Sequence, residues 1–213
     1  RAAEHFASAE PYSPFLDALA GLLQGPAREP LAAALSAVAP TWAAHFPALA
    51  GSGGGDELLE GRRSRDRMPR EFAALLAELG ARRAVVLAFE DLHWADPASV
   101  DLLAYLAPRL AELPVLMVAT FRPADVEIER HPLRGLLGTL AQGNLPWSEI
   151  APAPFAGGEV AAFLTRELGA PPPAELVEFA LRRTEGNPLF LLNVLNHLLQ
   201  SGAAADCNTF DAR

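Results

Sequence analysis

The chain contains no lysine; all 17 of its basic side chains are arginine. A phosphate-binding loop places glycines ahead of a Lys and then a Ser or Thr, so these residues cannot supply one. Gly51-Ser52-Gly53-Gly54-Gly55 is no substitute, because no buried strand precedes it and no Lys-Ser/Thr follows. Cysteine is reduced to Cys207, which excludes an internal disulfide framework and fits a reducing, cytoplasmic setting. Nothing in the sequence neighbours Cys207 to activate it as a nucleophile. No apolar run approaches the ~18 residues of a membrane span, and no stretch reads as a signal peptide, so no membrane contact is expected. A broad basic face is also missing. The net charge is −9, and the one dense basic cluster (Arg62, Arg63, Arg65, Arg67, Arg70) is diluted by Asp66 and Glu71. It reads as a solvated face, and direct nucleic-acid contact is not expected. The histidines His5, His45, His93, His131 and His197 show no metal-ligand spacing, and there is no G-x-S-x-G elbow.

Hydrophobic residues make up 51% of the 213 residues, enough for one large core or a core with a small satellite. Apolar periodicity predicts amphipathic helices over 14–23, 31–38 and 67–79, the last stopping at Gly80. Residues 84–89 are short, continuously apolar and β-branched, the pattern of a strand covered on both faces in a parallel sheet. Asp96-Pro97 reads as an N-cap and first-turn proline, opening a helix through Leu106 that Pro108 bends or ends. Residues 114–120 read as a second buried strand. Strand, helix, strand is a crossover unit and implies parallel pairing. A further short strand is predicted at 148–151. Helices over 160–168, 174–183 and 188–199 form a small helical subdomain, with the last helix apolar nearly all round and expected in its core. Pro69 predicts a helix end or kink, at a cost of about 3 kcal/mol if interior.

The first apolar strand ends in Glu90 and Asp91. Ligands of open parallel sheets bind at the carboxyl ends of strands, and two acids there suit a hydrated Mg²⁺; acids also occupy such positions simply as loop and cap residues. The second strand ends in Thr120, followed by Arg122. That pair fits a phosphate contact, since the planar Arg fork binds phosphate oxygens bidentately, or else a strand end and a surface ion pair. Asn187-Pro188 reads as a helix cap and first-turn proline, with Gly186 permitting the bend.

Together these segments match a family pattern. Glu90-Asp91-Leu92-His93-Trp94-Ala95-Asp96-Pro97 closely resembles the extended Walker B segment of the STAND branch of the AAA+ ATPases. Thr120-Phe121-Arg122-Pro123 is similar to their sensor-1 strand end, and Gly186-Asn187-Pro188-Leu189-Phe190 to their GxP-type lid motif. The opening Ala9-Glu10-Pro11-Tyr12-Ser13-Pro14 resembles the segment after their P-loop helix. The likeness spans residues 1–202 in order and spacing. It implies an α/β P-loop NTPase (AAA+-like) parallel-sheet core, incomplete at its N-terminus, over 1–155, then a helical lid over 156–202 and a tail over 203–213. Glu90 takes the Mg²⁺ position and Asp91 the water-activating position, both near the metal. Thr120 and Arg122 sense the γ-phosphate, and Asn187 and Pro188 lie near the nucleotide, Pro188 by the adenine.

The resemblance further implies an ATP- and Mg²⁺-dependent switch inside a larger bacterial regulatory ATPase, with other domains of that protein and a nucleotide-dependent oligomer as partners. The start at Arg1 leads us to expect a fragment that binds ATP poorly by itself. A scaffold module that keeps the fold without turnover, and a DNA-binding regulator fragment, are the rival readings. Glu-then-Asp reverses the commoner Asp-Glu order, which fits slow hydrolysis.

Overall fold

The computed structural model describes residues 10–49, 57–143 and 145–200, with the side chains of 57–65 outside the description. The opening motif up to Ala9, the Gly51–Gly55 segment and the tail therefore lie outside the described residues, as do the side chains of Arg62, Arg63 and Arg65. The chain divides into two compact units, Arg1–Trp147 and Ser148–Arg213.

The first unit is built on an aromatic cluster. Helix α1 (Ser13–Leu23) begins after Tyr12 and carries Pro14 in its first turn, where a missing N–H costs nothing. Its Phe15 packs at 5.0 Å from both Phe72 and Phe89, and Trp42 lies 4.8 Å from Phe72. Such ring pairs add about 0.5–1.5 kcal/mol each beyond area burial. Helix α2 (Arg28–Val38) contributes Leu31, Ala34 and Leu35. The short α3 (Pro40–Ala43) delivers Trp42, fully buried, whose indole N–H donates to the Met68 carbonyl at 2.8 Å.

Helix α4 (Glu57–Gly80) continues through Pro69, so of the expected end or kink the end does not occur. The residues flanking Pro69 account for this: Met68, Phe72, Leu75 and Leu76 are all buried. Their burial, at roughly 1.5–3 kcal/mol per large side chain, exceeds the cost of one interior proline.

Strands β1 (Val85–Phe89) and β2 (Val115–Ala119) pair in parallel, with Val85 opposite Val115 and Phe89 opposite Ala119. Between them run α5 (Pro97–Leu106) and a 3₁₀ segment, Ala107–Glu112, which takes over just before Pro108. A parallel pair with a helical crossover inside a mostly helical unit is compatible with a P-loop NTPase-like fold.

The predicted covering of both sheet faces is not met. Val85, Leu87, Phe89, Val115 and Met117 pack into the core. Val86, Leu116 and Val118 on the other face are 63%, 59% and 47% exposed. Strand side chains alternate in direction, and among the described residues of this unit helices lie on one side only. Helices α6 (Pro123–Ile128) and α7 (Leu133–Gln142) follow β2.

The strand expected at 148–151 does not form. Pro146, Pro152 and Pro154 flank this stretch and lack ladder donors of their own, so the strand has no room to extend on either side, and Ile150 is 84% exposed.

The second unit comprises α8 (Gly157–Leu168), α9 (Ala174–Thr184) and α10 (Pro188–Gln200) around Val160, Leu164, Leu176, Ala180, Leu191 and Leu195. Helix α8 starts three residues earlier than periodicity indicated, because the Glu159 carboxylate accepts the Ala156 N–H at 2.8 Å and caps it. Helix α10 is not buried all round: Leu189, Phe190 and Leu199 are 63%, 56% and 50% exposed.

Candidate functional site

The carboxyl ends of the two strands are stitched together by Thr120. Its N–H donates to the Phe89 carbonyl at 2.9 Å, and its carbonyl accepts the Leu92 N–H at 2.8 Å. Its hydroxyl oxygen accepts the Asp91 N–H at 3.1 Å. These bonds hold Asp91 at φ 52°, ψ 45°, a left-handed conformation. A non-glycine residue there costs about 1–2 kcal/mol, which the three bonds offset. The turn points Glu90 and Asp91 outward; both are exposed. The strand ends therefore bring Glu90, Asp91, Thr120 and Arg122 to one rim. From sequence, Thr120 was assigned a phosphate-sensing role; the structure gives its hydroxyl a bracing bond and leaves the hydroxyl proton free to donate.

After Asp91 a single 3₁₀ turn, Leu92–Trp94, sorts its side chains sharply. Leu92 and His93 turn inward, whereas Trp94 is 71% exposed. His93 accepts the Arg122 N–H on Nδ1 at 3.4 Å. Its Nε2 stands 3.4 Å from Asp125 Oδ2 and its Nδ1 3.9 Å from Asp91 Oδ1. The Nε2 contact is close enough but misaligned, so this buried nitrogen has no hydrogen-bond partner. Arg122 is 68% exposed at its side chain and reaches the same Asp125 oxygen at 4.0 Å.

Asp96 is the structural anchor of the segment. It is 3% exposed and caps α5 by accepting the Ser99 N–H at 2.9 Å and the Ser99 hydroxyl at 2.5 Å. It also accepts the Tyr12 N–H at 3.2 Å, which ties the start of α1 to the start of α5. His131 braces the turn from behind. Its Nδ1 accepts the Leu133 N–H at 3.1 Å, so its ring proton sits on Nε2 and is donated to the Ala95 carbonyl at 2.9 Å. Neither the Tyr12 tie nor the role of His131 was legible in the sequence, since both partners are remote along the chain.

An open cleft of about 260 Å³ lies at the end of β1, with Pro14, Glu90, Asp91 and Trp94 among its walls. Arg122 does not line it. Among the described residues no group of three or more His, Cys, Asp or Glu could hold a metal ion unaided. Two exposed carboxylates nevertheless fit a Mg²⁺ ion, which binds one or two protein carboxylates and fills its other positions with water and phosphate oxygens. The triphosphate is only partly served: Arg122 is a suitable donor, but no lysine exists to cradle it.

Asn187 and Pro188 belong to the second unit. Asn187 Oδ1 accepts the Leu189 and Phe190 N–H groups at 3.0 and 3.4 Å, capping α10. Just before it, Glu185 and Gly186 both adopt positive φ. The Gly186 carbonyl accepts the Phe155 N–H at 2.8 Å.

Among the described residues no helix is long and apolar enough to cross a membrane. A family model described as AAA ATPase domain matches residues 1–118, just over half of the chain. An uncharacterised protein of Rhizobium meliloti (strain 1021) is 42% identical over 60 residues, covering 28% of this chain and 6% of that protein. The match thus spans a small fraction of that relative's length. No solved structure matches the chain with statistical support.

Proposed function

Because this chain belongs to the AAA ATPase domain family, we propose that it is the Walker B and sensor part of an ATP-dependent signalling switch of the STAND type, working within a larger regulatory protein. An ATPase-type module uses a nucleotide and, in general, Mg²⁺. The observation that carries the reading is the Thr120 stitch, which presents Glu90 and Asp91 beside Thr120 and Arg122 on one sheet rim.

In this reading Glu90 and Asp91 hold the metal side of a Mg·ATP complex. The bound ion supplies charge neutralisation of the phosphates and a template for in-line attack. Asp91, fixed in its backbone by Thr120, orients the attacking water and accepts its proton. Asp reaches less far than Glu, which supports slow turnover suited to a switch. Arg122 offers its planar fork to phosphate oxygens. The phosphate-cradling lysine comes from outside these 213 residues. In such switches the γ-phosphate holds a conformation that its loss releases.

The test uses the full-length protein. Glu90→Gln and Asp91→Asn are each expected to lower ATP turnover by at least about a hundredfold, a loss typical of removing a catalytic electrostatic group or a general base. Turnover that survives both substitutions in one protein rules the assignment out.

A further inference from the structure

The site contains a buried polar atom without a partner, and its surroundings indicate what it is for. His93 is 1% exposed at its side chain. Because Nδ1 accepts the Arg122 N–H, the ring proton sits on Nε2. That N–H is buried, unpaired and 3.4 Å from Asp125 Oδ2. The same oxygen is drawn toward Arg122 Nη1, 4.0 Å away. One carboxylate oxygen thus serves two donors and satisfies neither: it is misaligned with the first and too far from the second. Asp125 is 38% exposed at its side chain, so its carboxylate has room to turn.

The two donors are not equivalent. Arg122 is solvated and loses little when a long surface pair breaks. His93 Nε2 has no solvent to fall back on, and a buried donor left unpaired is costly. Whatever draws Arg122 away therefore lets Asp125 turn to a donor that gains more.

We propose that Asp125 is a partner-exchange carboxylate: when Arg122 moves to a phosphate, Asp125 turns to His93 Nε2–H, and the completed bond locks the Asp91 turn to the start of α6. This rests on the reading of Arg122 as the phosphate-contacting residue. His93 and Asp125 are positioning residues, since neither touches the nucleotide. His93 transmits the exchange because its other nitrogen already bonds the Arg122 backbone and lies beside Asp91.

The experiment is a double-mutant cycle in the full-length protein, with calorimetric affinity for a slowly hydrolysed analogue, Mg·ATPγS, as the readout. Arg122→Ala and Asp125→Ala are each expected to weaken binding about tenfold, equivalent to ~1.4 kcal/mol. The double variant should bind no more than about threefold worse than Arg122→Ala, because residues acting through one exchange are not additive. At His93 the Gln side chain can place an amide N–H near the Nε2 position, whereas Asn is too short. His93→Gln keeps the Nε2-side donor while giving up the Nδ1 acceptor, and should therefore lose clearly less than His93→Asn, which should lose about tenfold. Should the His93 variants fold poorly, the Asp125 arm decides alone, since that residue is partly exposed. If Arg122→Ala weakens binding but Asp125→Ala does not, or the two losses multiply, the exchange is refuted while the phosphate role of Arg122 stands. If Arg122→Ala has no effect, both are refuted.

Discussion

Gly186 offers the sharpest test of how the second unit holds its Asn187-Pro188 turn. Its φ is +76°, and a Cβ built there meets the Phe155 carbonyl oxygen at 2.2 Å and the Phe155 nitrogen at 2.9 Å. Both obstacles are backbone, so no side-chain rotation relieves them. Three costs add for Gly186→Ala: about 1–2 kcal/mol for a left-handed alanine, about 1 kcal/mol for the Phe155 N–H to Gly186 carbonyl bond pushed apart, and about 1–3 kcal/mol to relieve the overlap. We predict a loss of at least about 3 kcal/mol, confined to this unit.

The assay follows from composition. All three Trp and both Tyr residues lie in the first unit, so intrinsic fluorescence does not report on the second. Amide hydrogen exchange does. Protection of the core amides Val160, Leu164, Leu191 and Leu195 should fall about a hundredfold, since each ~1.4 kcal/mol is tenfold. Amides of Leu102 and Leu103 should be unchanged. Gly158→Ala is the matched control: nothing lies within 4 Å of the new methyl, and α8 should gain about 0.5–1 kcal/mol from the better helix former. If Gly186→Ala keeps wild-type protection within about threefold, the turn relaxes without cost and the steric argument is wrong.

Two further predictions concern the first unit. Asp96→Ala removes one buried acceptor from three donors and should cost about 2–4 kcal/mol in urea unfolding followed by Trp fluorescence; Asp96→Asn keeps an oxygen and should lose clearly less, so equal losses would contradict the capping account. Thr120→Val deletes the acceptor for the Asp91 N–H, and exchange of that amide should accelerate about five- to tenfold, whereas Thr120→Ser should match wild type; indistinguishable Val and Ser variants would mean that the hydroxyl does not brace the turn.

The parts legible in sequence were those set by short-range chemistry. Asp96-Pro97 announced a capped helix because cap and proline are read within four residues, and the apolar run at 84–89 announced a strand. The coincidence of Glu90-Asp91 with Thr120 and Arg122 followed from parallel pairing of two successive strands, a topological rule. What escaped was long-range. Whether Val86, Leu116 and Val118 are covered depends on elements elsewhere, and the residue type is equally compatible with either outcome. Pro69 does not end its helix, because propensity is a local term and the burial of Met68, Phe72 and Leu76 in the core outweighs it. Trp94 and His93 are neighbours with opposite fates, one exposed and one buried, and only the 3₁₀ turn decides which faces in. Around 148–151 the flanking Pro146, Pro152 and Pro154 did carry a usable signal, since they leave a strand no room to extend.

The rim is unevenly held, and that unevenness bears on the kind of ATPase proposed. Its acidic side is fixed by main-chain bonds: Asp91 and Leu92 are both tied to Thr120, and Ala95 is tied to His131. Its cationic side is loose. Arg122 is solvated, its guanidinium meets only Asp125 at 4.0 Å among the ion pairs of the described residues, and its backbone N–H reaches His93 at 3.4 Å. A motor that turns over rapidly benefits from both sides being preorganised for the transition state. A switch requires the opposite on one side, an element with two arrangements whose balance the γ-phosphate tips. A fixed acid turn facing a movable arginine, with a buried imidazole between them awaiting a partner, meets that requirement, and it supports reading this module as one that holds a state rather than one that cycles quickly.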